Sequence, residues 1–328
     1  MPVLTARRLL LTGVAALALL AGACSEAAPE DASPAAAEAT AAATATGEAT
    51  DTPTATPEPE VTYDPTLVLD DVDCTPEALA IADETYTEAF VTAHYVVGDV
   101  LGAVCHGEEN PRLLEAWEML RAFVPAEEFD TLVLFAGFEH LGDDSDPLGN
   151  IIAYVNSTAD PLRTRFQISI NLAVEEDADP RRLTLAHEFS HIFTQEDDQL
   201  DRTMDPFACP TYYNGEGCFE ADAYIAEWIA AFWDPADIEA IDPWAEDVDG
   251  AFARCDTDGG FLGPYAATSP EEDFAEAFSA FVFDLEVETP GLEARYAFFE
   301  ERPALRAFRD AARAAALTPI DNTFEGCG

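Results

Sequence analysis

The sequence predicts an α+β fold: a small mixed sheet packed on a helix that carries His187-Glu188-Phe189-Ser190-His191, with a mainly helical C-terminal lobe after it. Three observations lead there. Runs rich in β-branched and aromatic residues cluster between residues 131 and 174, as strands require. Leu185, Phe189 and Ile192 then recur at helical spacing. Downstream, helix starts with Pro in the first turn recur to the C terminus.

The chain opens with Arg7 and Arg8, an apolar run to Leu20, and Ala21-Gly22-Ala23-Cys24. A charged start, an apolar middle and small residues at the end make residues 1–23 a secretory signal peptide. With Cys24 directly after the small residues, the segment resembles a bacterial lipoprotein signal, although Ala21 stands where leucine is usual and Leu20 lies one place further back. The resemblance implies cleavage before Cys24 and a diacylglyceryl group on its sulfur, hence a lipid-anchored protein outside the cytoplasm. The alternative is a plain signal cut nearby, with Cys24 incidental. The apolar run is shorter than the ~20 residues a membrane span needs.

Residues 24–65 mix Ala, Thr, Pro and Glu, and the first aromatic is Tyr63. Such a stretch buries too little apolar surface to offset its ordering entropy, so a disordered tether is expected. Residues 66–328 are long enough for one sizeable core or two small lobes. A monomer is expected.

All 15 basic residues are Arg, against 65 Asp plus Glu. This surface repels nucleic acid and anionic headgroups, so nucleic-acid partners are excluded. It could attract cationic peptides. Because the acids are spread along the whole domain, adaptation to high salt is the simpler reading. Beyond Cys24 six cysteines remain: Cys74, Cys105, Cys209, Cys218, Cys255 and Cys327. An even number in an exported chain suggests three disulfides, and Cys209–Cys218 is the most plausible local one. None has the close spacing of a thiolate zinc site.

Along the folded part, Thr75-Pro76-Glu77 predicts a helix start, with apolar positions continuing to about Val97. Asn110-Pro111 starts a second helix with Leu113, Leu114, Trp117 and Leu120. Strands are expected over 131–138, 151–155 and 166–174, the last placing Phe166, Ile168, Ile170 and Leu172 on one face. Asp179-Pro180 opens the motif helix. Helices are expected over 218–233, 269–284 and 303–317. An edge strand beside the motif helix could hold an extended peptide by backbone pairing.

Residues four apart on a helix share a face, so His187 and His191 can each give one nitrogen to a single Zn²⁺. Glu188, one place on, flanks the ion and can take a proton from water held there. A catalytic zinc needs a third protein ligand. Downstream the chain reads Tyr265-Ala266-Ala267-Thr268-Ser269-Pro270-Glu271-Glu272-Asp273-Phe274-Ala275-Glu276-Ala277-Phe278. With HExxH upstream, this resembles the gluzincin class of zinc metallopeptidases, and within it the catalytic domains of the lethal-factor and Pro-Pro endopeptidase group. The resemblance is carried by short motifs within residues 180–285. It implies a zincin-like fold and a zinc endopeptidase. His187, His191 and Glu272 would be metal ligands, with Glu188 the general base. Tyr265 would donate to the oxyanion, unless it is an ordinary core or loop tyrosine. Asp273 replaces an aromatic common in that group, and the gap from His191 to Glu272 is long for it.

Alternatives stay open at this point. Glu272 could instead complete a capping box with Ser269, leaving Glu276 as ligand. Asp197 stands where another zincin class has its third ligand, but Thr194 occupies that class's glycine. Glu271 or Glu276 could hold a histidine N–H. Cys255-Asp256-Thr257-Asp258-Gly259-Gly260 could offer calcium oxygens, though a turn is the simpler reading. The competing functional expectation is a catalytically inactive surface lipoprotein that binds zinc or peptide.

Overall fold

The computed structural model describes residues 62–80, 89–141, 151–158, 163–242, 248–286, 289–321, 324 and 326–327. The signal segment, Cys24 and the tether up to residue 61 lie outside them. The last tether residues are already laced to the fold. Leu101 N–H donates to Thr62 O at 3.0 Å, Asp64 N–H to Leu101 O at 2.9 Å, and Ala103 N–H to Leu67 O at 2.8 Å.

The long helix expected from Thr75 is corrected. Helix α1 covers only Pro76–Leu79, and Phe90–Val97 is strand β1. Phe-Val-Thr-Ala-His-Tyr-Val-Val is rich in β-branched and aromatic residues, which favour a pleated surface over a helix. A two-residue turn at Gly98 and Asp99 joins β1 to β2, Val100–Gly107, which the sequence reading had not foreseen. Gly98 has φ +58°, the left-handed conformation that such hairpins require. Helix α2, Pro111–Arg121, starts as expected, with the Asn110 side chain accepting from Arg112 N–H.

Strands β3 (Leu132–Phe138), β4 (Ala153–Ser157) and β5 (Phe166–Asn171) complete a five-stranded mixed sheet in the order β2-β1-β3-β5-β4. β3 and β5 are parallel, and the other pairs antiparallel. One face carries Phe135, Phe166, Ile168, Ile170 and Leu172 against the helices, within the main core. The other holds a smaller cluster with Leu79, Phe90, Leu134, Phe138 and Tyr154. β4 is an edge, and among the described residues no strand pairs with its outer side.

Helix α3, Ala178–Phe193, packs on β4 and β5 on one side and on α7, Pro270–Val282, on the other. Each residue from Leu183 to Phe193 is buried, so the motif helix runs through the core. The expected helix over 218–233 divides. Cys218–Phe219 is strand β7, paired with β6 (Leu200–Asp201), and helix α4 spans Tyr224–Phe232. The Cys209–Cys218 disulfide and the Phe219 N–H bond to Tyr212 O hold Cys218 and Phe219 extended. Helices α5 (Pro235–Ala240), α6 (Val248–Cys255), α8 (Pro290–Glu300) and α9 (Pro303–Ala314) finish the lobe. All six downstream cysteines pair: Cys74–Cys105, Cys209–Cys218 and Cys255–Cys327. No described helix is long and apolar enough to cross a membrane.

Candidate metal centre

Helices α3 and α7 bring three side chains to one point. His187 Nε2 and His191 Nε2 are 3.2 Å apart. Glu272 Oε2 lies 3.0 Å from the first and 3.7 Å from the second. All three residues are buried. Around a four-coordinate ion with bonds of ~2.0–2.1 Å, donor atoms sit ~3.3 Å apart, so the spacing fits such an ion. The Glu272 contact is close but not aligned as a hydrogen bond, which suits atoms facing a common third atom. Two imidazole nitrogens and a carboxylate oxygen are a donor set for a divalent transition metal. This is the one group of potential metal ligands among the described residues.

The local sequence explains the convergence. Positions 187 and 191 are one helical turn apart, with Leu185, Phe189 and Ile192 turned to the main core. On α7 the Ser269 hydroxyl caps the helix by accepting from Glu272 N–H at 3.3 Å. The cap therefore uses the backbone of Glu272 and leaves its carboxylate for the imidazoles.

The electrostatics of these groups follow from burial and mutual charge. Burial opposes the Glu272 charge, but the imidazoles, His191 foremost, hold it far below the usual carboxylate range. Burial likewise opposes a charged His191, yet the Glu272 carboxylate outweighs it and lifts that imidazole to about 9. For His187 burial wins and lowers the value. Without an ion, His191 and Glu272 thus form an ion pair, and a metal would displace that proton.

Glu188 is buried beside the group, and neither of its oxygens has a hydrogen-bond partner. Burial pushes its carboxyl up to about 8. The ring of Tyr265 lies 6.0 Å from that of His187, centre to centre. The other expected contacts fall differently. Glu271 lies beside the Tyr212 phenol. Burial, then Glu272 and Asp273, push the Glu276 carboxyl well up, the nearby Ala266 backbone only partly offsetting them. No hydrogen bond joins either to an imidazole, and His187 Nδ1 is without a partner. Asp197 is exposed, 4.0 Å from Arg202, and outside the group. Asp258 accepts from Gly260 N–H and faces Arg295 at 3.6 Å, as a turn residue.

Two features escaped the sequence reading. Tyr212 reaches the site from the loop closed by Cys209–Cys218, and an aromatic pair between two cysteines was the available signal. Asp273, next to the candidate ligand, is fully buried. It accepts from Trp228 Nε1 at 2.7 Å, Trp233 Nε1 at 3.0 Å and Arg295 Nε at 3.0 Å. Compared with known proteins, the chain matches no family model, no curated protein and no solved structure.

Proposed function

We propose that this chain is an extracytoplasmic, lipid-anchored zinc endopeptidase of zincin-like fold, with His187, His191 and Glu272 holding one Zn²⁺. The observation that carries the reading is the meeting of two imidazoles and a carboxylate beside a buried, unpartnered Glu188. A site meant only to hold a metal has no use for that fourth group. Its HExxH and Glu272 positions are those the gluzincin resemblance requires. When bound, Zn²⁺ supplies Lewis acidity, polarising the substrate carbonyl and lowering the pKa of water toward ~7.

The protein groups do the rest. An extended substrate lies along the outer edge of β4, pairing with its backbone, which places the scissile bond over α3. Glu188 takes the proton of the attacking water as oxygen bonds to the carbonyl carbon. The Tyr265 hydroxyl donates to the oxygen that gains charge. As the C–N bond breaks, Glu188 returns the proton to the leaving nitrogen. Glu188 suits both roles by position, next to His187 in sequence and with no hydrogen-bond partner to hold its oxygens elsewhere. The three disulfides support an oxidising compartment. The signal resemblance supports anchoring through Cys24.

The test is Glu188→Gln in the zinc-loaded chain, assayed on a broad peptide mixture. The variant should keep one zinc per chain and lose hydrolysis by more than about 100-fold. Cleavage at the wild-type rate would end the mechanism. Zinc bound with no cleavage by wild type would leave a binding lipoprotein.

A further inference from the structure

The turn that carries Tyr265 is held from behind by a buried guanidinium. Arg254, on α6, donates from Nε to Ala267 O at 2.7 Å and from Nη2 to Thr268 O at 3.4 Å. Its side chain lies against the Trp233 ring, 5.5 Å from the centre, and is buried with it. The same turn is bonded internally, Thr268 N–H and hydroxyl both donating to Tyr265 O at 2.9 and 2.7 Å. From the α7 side the Glu276 carboxyl lies near the Ala266 backbone. The Ala267 and Thr268 carbonyls are thus held by α6. Tyr265 stands at the start of this turn, facing His187.

We infer that Arg254 is a positioning residue that holds the Tyr265 hydroxyl in register with the metal group. The inference rests on the peptidase reading above. A guanidinium this deep needs polar partners to offset its desolvation. Two of its contacts are the carbonyls of the residues that end the turn. A lysine offers no planar fork for two neighbouring carbonyls. Arg254 touches neither substrate nor metal; it acts only by where it leaves Tyr265.

The experiment uses the zinc-loaded mature chain with Arg254→Met, Arg254→Lys, Tyr265→Phe and the Met–Phe double variant. Zinc content and kcat and KM are measured on a pool of quenched fluorescent peptides. The Tyr265–His187 ring contact is followed by NMR. Arg254→Met should keep one zinc per chain, weaken the ring contact, and lower kcat by about 10- to 100-fold with little change in KM, because a misplacement near 1 Å costs about that much. Arg254→Lys should fall between. With the Tyr265 hydroxyl already gone, removing Arg254 should add almost nothing. Multiplying losses in the double variant, or wild-type kcat in Arg254→Met, would overturn the inference and leave the peptidase reading intact. Were the wild type to bind zinc and cleave nothing, the peptidase reading would fail. The clamp would then stand or fall on whether Arg254→Met weakens the ring contact.

Discussion

His187 and His191 were legible because HExxH fixes both spacing and chemistry within five residues. Glu272 was legible only through a second short motif, and its rivals could not be dismissed by spacing. The three-dimensional group separates them: Glu276 lies outside it, and Asp197 is exposed beside Arg202. Glu272→Gln should therefore weaken zinc binding by more than about 100-fold in a chelator competition. Glu276→Gln should cost no more than the ~10–100-fold typical of residues behind a ligand, and Asp197→Asn nothing. Equal losses for Glu272→Gln and Asp197→Asn would refute the ligand set. At the far end of α3, Glu196 gives a pH prediction. Burial first, then Asp198, Asp130 and Asp197, raise its carboxyl, although Thr131 Oγ1 donates to it at 2.9 Å. A carboxyl raised on folding favours the native state when protonated. That contribution is full below the unfolded value near ~4.3 and is lost as pH rises through the folded one. Glu196→Gln should thus have a higher Tm than wild type at pH 7, with the gap closing by about pH 4. Tyr212 was not legible, because its approach to Glu271 depends on a loop whose path only the disulfide and the β6–β7 pairing define.

Helix α7 was read correctly as an element, from Ser269-Pro270 to its end, because cap, proline and apolar period agree. What holds it was not readable. Asp273 stands where the resembling group has an aromatic, and the structure gives the substitute arrangement: two indole N–H groups and Arg295 converge on one buried carboxylate. Arg295 in turn lies over Phe261, 4.7 Å from the ring centre. It also packs so close to Gly260 that any Cβ there would strike the guanidinium. This is why the Asp-Gly-Gly run is a packing turn. Asp273→Ala should lower stability by about 3–5 kcal/mol, since it strands a buried guanidinium, and a Tm unchanged within error would refute the anchor. The β1–β2 hairpin was missed for the opposite reason. Residues 90–97 have helical-looking apolar spacing but strand-forming side chains, and side-chain stiffness decided the outcome. Helix α4 was half legible: its apolar run was visible, but the strand pairing that delays its start to Tyr224 comes from Leu200 and Asp201, far upstream.

At the scale of the molecule, a formal charge of −50 on 328 residues makes self-repulsion a standing cost of compactness. Raising NaCl from about 0.05 M to about 1 M shortens the screening length to ~3 Å, so Tm should climb across that range. A flat response in thermal melts would show that the acids are locally balanced. The proposed attachment through Cys24 is tested by Cys24→Ser, which should move the protein out of the membrane fraction while leaving zinc content unchanged. The two sides of the sheet are also unequal. Residues 62–67 bond to Leu101 and Ala103 of β2, whereas among the described residues no strand pairs with the outer side of β4. Two copies meeting through β4 would cover the side with which, among the described residues, no strand pairs. Growth from the β2 side would have to displace that segment from Leu101 and Ala103, so the stretch that leads into the first hairpin opposes fibre formation there.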